Sequence, residues 1–191
     1  PAVKAASPTL GKRVLMLLTD GYGGFGGVAQ YNRDVVEALD GLSEIGEIEA
    51  LPRLADEVTG PLPAKLVHNL SGLGGAGRYA LAALKRGIFG PKPDLVLCAH
   101  ANLVGIAWII TKVRRVPLML VTYGVDVWQA PTSWLGRKGV LASKVVVSIS
   151  QYTADRMAAW HSFTPGQLHL WPNAIRPDDY GMAPPAPDLI A

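Results

Sequence analysis

The chain has 191 residues, with 18 lysines and arginines against 15 aspartates and glutamates, so its formal charge is +3. Apolar residues make up 49% of the chain and charged residues 17%. This supplies enough apolar surface to offset the entropy of ordering the chain, which excludes intrinsic disorder, and the length corresponds to one domain with short extensions. A net charge this small does not indicate a nucleic-acid-binding protein, but it is compatible with anionic metabolites or an anionic membrane surface.

Cysteine content and apolar runs exclude several other classes. Cys98 is the only cysteine, so neither a disulfide framework nor a cysteine-based metal site is possible. No basic stretch followed by an apolar one opens the chain, so no secretory signal is expected. The uncharged run Leu95–Thr111 approaches the roughly 18 residues of a membrane span. It contains His100 and Asn102 and is typical of a strand followed by a helix. We therefore expect a cytoplasmic protein.

Short branched apolar runs alternate with helical stretches, and this alternation predicts an α/β fold with a parallel sheet covered by helices. The first run, Arg13–Thr19, is continuously apolar and is typical of a central strand buried on both faces. A glycine-rich loop, Gly21–Gly27, follows it, and the first helix is predicted over Val28–Leu39. Its periodicity places one set of side chains in the core (Val28, Tyr31, Val35 and Leu39) and a polar set facing away (Asn32, Arg33 and Glu37).

The rest of the chain continues the same pattern. Further strands are expected at Glu47–Leu51, Asp94–Cys98, Pro117–Thr122, Lys144–Ile149 and Gln167–Trp171. Further helices are expected at Ala76–Ile88, Asn102–Val113, Trp134–Ala142 and from a Ser150 cap to His161. The stretch Pro52–Gly75, rich in proline and glycine, is predicted to be loop. We assign residues 1–176 to the domain and residues 177–191, which are proline-rich, to a linker.

The loop Gly21–Gly27 suggests a binding site for an anion. Glycines let the chain turn sharply and let a ligand approach the backbone, while the following helix directs free N–H groups and the positive end of its dipole at the same place. A phosphate is the ligand that such an arrangement favours. A flexible turn without a ligand is the alternative interpretation.

A literal dinucleotide fingerprint lies within this loop, at Gly21, Gly23 and Gly26. That fingerprint also needs an acidic residue at the end of the second strand to bind a ribose. Here Glu47 and Glu49 lie inside the predicted strand instead. An NAD(P)-binding oxidoreductase domain therefore remains an alternative, as does a non-catalytic binding module with the same fold.

Four segments, in order, resemble the family 4 glycosyltransferases. They are Gly26-Gly27 after the first strand, Pro93–His100 as the "PD-strand-His" segment, Val121–Trp128 as the "T-H-G-x-D/E-x-W" segment, and Lys144–Ser150 followed by Leu170–Ile175 as "strand-S-x-S" and "I-P-N-G". The resemblance implies a Rossmann-like parallel sheet with helices on both faces, forming the amino-terminal half of a GT-B fold. It also implies transfer of a sugar from a nucleotide-sugar donor with retention of configuration, without a metal or other cofactor.

Two residues depart from the family pattern, and the chain is short for the family. Tyr123 stands where relatives have the histidine of "T-H-G", and Ala174 replaces the glycine of "P-N-G". The E-x7-E motif of the carboxyl-terminal domain has no counterpart in a suitable loop. The resemblance therefore covers the acceptor-binding half, which alone is expected to show little or no transferase activity.

The resemblance and the predicted sheet edge together nominate the site residues. Gly26 and Gly27 are candidates for binding the donor phosphates, and His100, Tyr123 and Asp126 for binding the sugar or acceptor, because ligands of open α/β sheets bind at the carboxyl ends of the strands. His100 could instead cap a helix, and Asp126 could form an Asx turn. No catalytic residue is assigned in this half.

Other polar groups suggest less. His68, His161 and His169 lack the spacing of metal ligands, so no metal site is assigned. Basic clusters at Lys85-Arg86, at Lys112, Arg114 and Arg115, and at Arg137-Lys138 are either solvated helix ends or contacts for anionic lipid. The expected partners are a nucleotide-sugar donor, a sugar or lipid-linked acceptor and the missing carboxyl-terminal domain, with peripheral membrane contact as an option.

Overall fold

The computed structural model describes residues 11–58 and 60–174. A single sheet of seven parallel strands runs through it in the order β3-β2-β1-β4-β5-β6-β7. The strands are β1 (Lys12–Leu18), β2 (Ile45–Pro52), β3 (Leu66–His68), β4 (Leu95–Ala99), β5 (Leu118–Thr122), β6 (Val145–Ser148) and β7 (Leu168–Leu170). The helices are α1 (Gly27–Asp40), α2 (Ala76–Phe89), α3 (Val104–Arg114), α4 (Trp134–Ala142) and α5 (Gln151–Ala158). This confirms the predicted α/β, Rossmann-like fold.

The helices divide unequally between the two faces of the sheet. Helix α1 packs Tyr31, Val35 and Val36 on one face, against alternate residues of the central strands such as Met16. The other face carries α2, α3, α4 and the Met157 side chain of α5. Because α1 is the only described helix on its face, an apolar cavity of about 680 Å³ remains beside it, with Leu97, Met119 and Trp171 in its wall.

Helices α2, α3 and α4 form one close-packed layer, with glycines at the contacts. A Cβ atom added at Gly87 of α2 would lie within 3 Å of Ile110 side-chain atoms in α3. One added at Gly139 of α4 would lie 2.6 Å from the backbone oxygen of Val104 in α3. The small residues therefore let α3 lie directly against both neighbours.

Two sequence-based expectations were wrong. The stretch Pro52–Gly75 is not loop throughout, because it contains β3, which extends the sheet beyond β2, and a 3₁₀ turn at Leu70–Gly72. The side chain of Asn32 does not face away from the core but is fully buried. The periodicity of α1 could not reveal this because Asn32 is polar yet lies next to the apolar stripe of the helix.

One helix ends before its predicted boundary, and one predicted segment cannot be compared with the structure. Helix α5 ends at Ala158, earlier than predicted, although Ser150 does cap it by accepting a hydrogen bond from the Thr153 amide. The predicted linker, residues 177–191, lies outside the described residues.

Within the described ranges, no helix combines the length and the apolar character needed to cross a membrane.

Candidate functional site

The glycine-rich loop leaves β1 at the carboxyl edge of the sheet and is held by contacts from two other elements. The Arg33 guanidinium of α1 donates hydrogen bonds to the carbonyl oxygens of Gly21 and Gly24, at 2.8 and 2.9 Å. The Asp56 amide, from the segment after β2, donates to the Gly23 carbonyl at 2.7 Å. The loop carbonyls thus face protein donors. Arg33, which was predicted to face away from the core, therefore holds the glycine-rich loop in place.

At the start of α1 the backbone is open. Gly26 is the N-cap residue with a φ of 91°, a conformation that favours glycine, and no side chain of the described protein caps the helix. A Cβ atom at Gly26 or Gly27 would meet nothing within 4 Å. The amides of the first helical turn therefore carry the positive end of the α1 dipole into open space, where an anion is stabilised.

A second helix begins in the same manner at the same edge, which sequence reasoning missed. The N-cap of α2 is Gly75, with a φ of 118° and again no side-chain cap. A cavity of about 300 Å³ has walls from both glycine segments, including Gly24 and Gly74, and from the half-buried Arg53 after β2. The signal was present in the cluster of glycines from residue 72 to 77, which resembles the first loop in composition.

His100 lies half-buried at the end of β4. Its Nδ1 atom accepts a hydrogen bond from the Asn102 amide at 3.1 Å and so caps the 3₁₀ turn that precedes α3. In the neutral ring this places the proton on Nε2, which is the nitrogen left to donate. The capping role and a binding role are therefore compatible, because they use different nitrogens.

Tyr123, at the end of β5, directs its hydroxyl into the protein. The hydroxyl donates to Oδ1 of Asn32 at 2.5 Å, and Nδ2 of Asn32 donates to the Asp20 carbonyl at 2.7 Å. Burial is the main cause that raises the pKa of Tyr123 far above its ordinary value, so the phenol is neutral. The tyrosine ring also lies 6.4 Å from the His100 ring, centroid to centroid.

Asp126 ties the loops after β4 and β5 together. Its Oδ1 atom accepts hydrogen bonds from the amides of Tyr123 and Gly124, at 3.1 and 2.8 Å. Both donors precede Asp126 in the chain, so this is not the Asx turn, in which the side chain bonds to an amide two residues onward. Its Oδ2 atom accepts from the Ala101 amide at 3.4 Å. The structure thus brings His100, Tyr123 and Asp126 together in one cluster, with the Gly26–Gly27 turn leading from the neighbouring strand β1.

The acidic residues of β2 have partners inside the protein. Glu47 pairs with Arg13 at 2.6 Å. Glu49, buried, pairs with Arg86 at 2.5 Å and accepts from Asn69. The strand ends instead at Pro52, followed by the cation Arg53. No carboxylate of β2 is therefore placed to bind a ribose, as the oxidoreductase alternative requires.

Three further residues complete the description of this region. Trp128 is half-buried and packs edge-on against the Tyr152 ring, and its buried Nε1 has no hydrogen-bond partner among the described residues. Cys98 is fully buried, and burial raises the pKa of its thiol to about 12, as suits a small apolar side chain. Asp20 accepts a hydrogen bond from the Thr19 hydroxyl beside the glycine loop.

No group of three histidines, cysteines, aspartates or glutamates that could hold a metal occurs among residues 11–58 and 60–174.

A comparison of the chain with models of known protein families identifies its family. The family model described as Glycosyltransferase Family 4 matches residues 25–179, a range that begins at the glycine turn and passes through the His100, Tyr123 and Asp126 segments. The chain belongs to glycosyltransferase family 4. This confirms the resemblance drawn from the four short motifs.

Solved glycosyltransferases share the fold of this family 4 domain. The lipopolysaccharide outer core galactosyltransferase WaaB superposes with a TM-score of 0.60 at 13% identity, covering 85% of this chain and 46% of WaaB. HepE of Anabaena, in a complex with UDP and glucose, gives a TM-score of 0.60 at 16% identity, covering 91% of this chain and 47% of HepE. The family 4 chain described here therefore spans just under half the length of these proteins. No individually curated protein matches it.

Proposed function

We propose that this chain is the acceptor-binding half of a retaining glycosyltransferase that takes a sugar from a nucleotide-sugar donor. Membership of family 4 supports sugar transfer as the activity. The open, uncapped start of α1 at Gly26 and Gly27 is the observation that supports the placement of the donor. HepE is described in complexes with UDP-glucose, with UDP, and with UDP and glucose, which makes UDP the natural first probe.

The proposed role of the glycine turn is to stabilise the departing diphosphate. Negative charge grows on the leaving phosphate as the bond to the sugar breaks, and fixed amide dipoles aimed at that charge need no reorganisation during the reaction. Arg33 and Asp56 hold the loop carbonyls, so the amides of the α1 turn stay in place before the ligand arrives. No metal is needed in this scheme, because helix dipoles and cations supply the positive charge.

The proposed role of His100 is to bind a hydroxyl of the sugar or acceptor through Nε2–H. Its Nδ1 atom is fixed by the Asn102 amide, so the ring is oriented before binding. We assign Tyr123 and Asp126 to the same pocket as positioning residues. Their polar atoms already bond to Asn32 and to loop amides, so they would set the shape of the pocket and the orientation of its loops.

The test is the replacement Gly27→Val, with Gly77→Val as a matched control. Each glycine lies in the first turn of its helix, and an added Cβ meets nothing within 4 Å at either position, so both variants should fold. UDP and inorganic pyrophosphate are titrated into the 191-residue chain while the backbone amides are followed by NMR. We expect shifts at residues 26–29, with affinity reduced about tenfold in Gly27→Val and unchanged in Gly77→Val, as expected for an anion at a helix start.

Three results would contradict the proposal. Pyrophosphate shifts confined to the start of α2 and abolished by Gly77→Val would move the anion to the other helix. Turnover of UDP-glucose by this chain alone at ordinary enzyme rates would show that it is not merely one half of the catalytic unit. Tight binding of NAD with no response to UDP would instead favour the oxidoreductase alternative.

A further inference from the structure

The cavity of about 300 Å³ between the two glycine segments has both charged and apolar residues in its wall. Besides glycines and an alanine, the residues that line it are Asp20, Arg53, Asp56, Phe25, Leu54 and Leu73. Phe25 is 86% exposed, although it is a large apolar side chain beside a cavity. A volume of this size is at the lower end of the range for small-molecule sites, so the cavity can take a small ligand.

The three charged residues of this cavity do not neutralise one another. Both ion pairs among the described residues involve carboxylates of β2, so Arg53 is paired with neither Asp20 nor Asp56. The carboxylate of Asp20 accepts a hydrogen bond from the neighbouring Thr19 hydroxyl. The side chains of Arg53 and Asp56 form no hydrogen bond with another described residue. Donors and acceptors of opposite charge therefore surround one cavity without contacting each other.

Backbone hydrogen bonds fix the positions of these charged residues. The Arg53 amide donates to the Leu18 and Thr19 carbonyl oxygens, each at 3.0 Å, and so ties the end of β2 to the end of β1. The Asp56 amide donates to the Gly23 carbonyl at 2.7 Å, which joins the same segment to the glycine loop. The wall of the cavity is therefore in place before a ligand arrives, which reduces the cost of binding.

Unpaired groups of opposite charge around one cavity favour a ligand that both donates and accepts hydrogen bonds. A hydroxyl can donate to a carboxylate and accept from a guanidinium, and bonds to charged groups are stronger than bonds between neutral ones. A phosphate or carboxylate would instead meet two carboxylates, Asp20 and Asp56, against the single cation Arg53. The apolar wall favours a ligand that also has a C–H surface, which an aromatic ring such as Phe25 can cover.

We propose that this cavity binds one uncharged sugar ring of the acceptor. Its hydroxyls bridge the two carboxylates and the guanidinium, and one face of the ring packs against Phe25. The wall of the cavity reaches Phe25, one residue before the Gly26 cap of α1, so the ring would lie next to the proposed position of the donor diphosphate. The inference rests on the proposed function, since it names the kind of acceptor that receives the sugar.

The first test compares neutral and anionic sugars. D-glucose, D-galactose and D-mannose are each titrated into the 191-residue chain while the backbone amides are followed by NMR. With at least one hexose we expect shifts at residues 20–25, 53–56 and 73–74. The uronate of the hexose that binds best should bind about fivefold more weakly, the factor expected for a unit charge roughly 4 Å from a like charge in water.

The apolar wall is tested by Phe25→Ala, with Phe89→Ala as the matched control. Both phenylalanines are highly exposed, at 86% and 82%, but Phe89 lies on α2 and does not line this cavity. We expect hexose binding to weaken about fivefold in Phe25→Ala, as for the loss of one aromatic contact, and to stay unchanged in the control.

The charged wall is tested by Asp56→Asn, with Glu57→Gln as the matched control. Removing the negative charge of Asp56 should reduce the preference for the hexose over its uronate from about fivefold to about twofold, because one of the two repelling carboxylates is lost. Glu57 is the next residue and does not line the cavity, so its replacement should keep the preference. A merely structural effect would weaken both sugars and leave their ratio unchanged.

Circular dichroism establishes that all variants are folded. The inference is overturned if none of the three hexoses shifts these amides, if the uronate binds as tightly as the hexose, or if the members of either variant pair behave alike. A separate titration with UDP distinguishes this inference from the proposed function. UDP shifts at residues 26–29 without hexose shifts would remove the sugar site alone, whereas hexose shifts without UDP binding would support the sugar site and contradict the donor site.

Discussion

Asn32 joins three elements through one buried amide at the carboxyl edge of the sheet. Its Nδ2 atom donates to the Asp20 carbonyl at the end of β1, and its Oδ1 atom accepts from the Tyr123 hydroxyl at the end of β5. The side chain is completely shielded from water. A polar group in that position needs both partners, because leaving a buried donor or acceptor unpaired costs free energy.

We therefore expect Tyr123→Phe to lower the free energy of unfolding by about 1–3 kcal/mol, since it leaves Oδ1 of Asn32 without its donor. Tyr152→Phe is the matched control, because it removes the hydroxyl from a tyrosine that is 59% exposed. Urea unfolding followed by tryptophan fluorescence measures both. If the two variants are equally stable, the Asn32–Tyr123 hydrogen bond does not hold the edge together.

At the scale of single residues, the sequence predicted where the candidate site residues lie better than it predicted which residues they contact. That His100, Tyr123 and Asp126 meet follows from the rule that parallel strands end at one edge. The Asn32–Tyr123 contact spans 91 positions in the chain and depends on how α1 packs over β1, which no local pattern encodes. Whether these residues bind a sugar stays a prediction.

At the scale of elements, glycine at helix contacts sets how closely the α2–α3–α4 layer packs. Gly139 of α4 lies against the Val104 carbonyl of α3, and Gly105 of α3 lies against Leu135 of α4. Each glycine therefore faces the backbone or a side chain of the opposite helix. A side chain at either position would push the two helices apart.

Gly139→Ala is expected to lower the free energy of unfolding by about 1–3 kcal/mol, because overpacking forces backbone shifts. Gly77→Ala should instead be neutral or stabilising by up to about 1 kcal/mol, since it adds helix propensity where nothing lies near the new methyl group. Thermal unfolding of both variants gives the comparison. A Gly139→Ala protein as stable as the parent would mean that α3 and α4 separate at no cost.

Most elements were predictable, including the three-residue strand β7 within the predicted Gln167–Trp171, but strand β3 was not. The helix at Trp134–Ala142 and the central strands follow directly from their apolar periodicity. Strand β3 has three residues, of which Val67 is exposed, so it carries too little pattern to stand out from the loop around it. It forms because its backbone pairs with the edge of β2, from Ile48 to Ala50.

At the scale of the whole molecule, a separation of charge could have been read from the sequence but its arrangement in space could not. Counting charges by segment shows a basic stretch, residues 76–144, and an acidic stretch, residues 27–57. Only the topology shows that the acidic helix α1 and the basic helices α2, α3 and α4 lie on opposite faces of one sheet. Net charge alone is therefore a poor guide to the partners of this protein.

The stability of the whole domain should also depend on pH through two histidines. Burial lowers the pKa of His161 and of His68 below their ordinary value, and the buried Nε2 of His161 has no hydrogen-bond partner in the described part of the chain. In the unfolded chain both rings titrate near pH 6.5. Between the lowered pKa and about pH 6.5 the unfolded state therefore binds more protons than the folded state, so stability falls as the pH falls.

We expect the free energy of unfolding to be level above about pH 7 and to decline below pH 6.5, by at most about 1.4 kcal/mol per pH unit for each histidine. His161→Gln should reduce this slope, whereas His169→Gln, at an exposed position, should leave it unchanged. Urea unfolding at a series of pH values measures the slope directly. A slope in His161→Gln equal to that of the parent would mean that the His161 ring reaches water and charges without opening the fold.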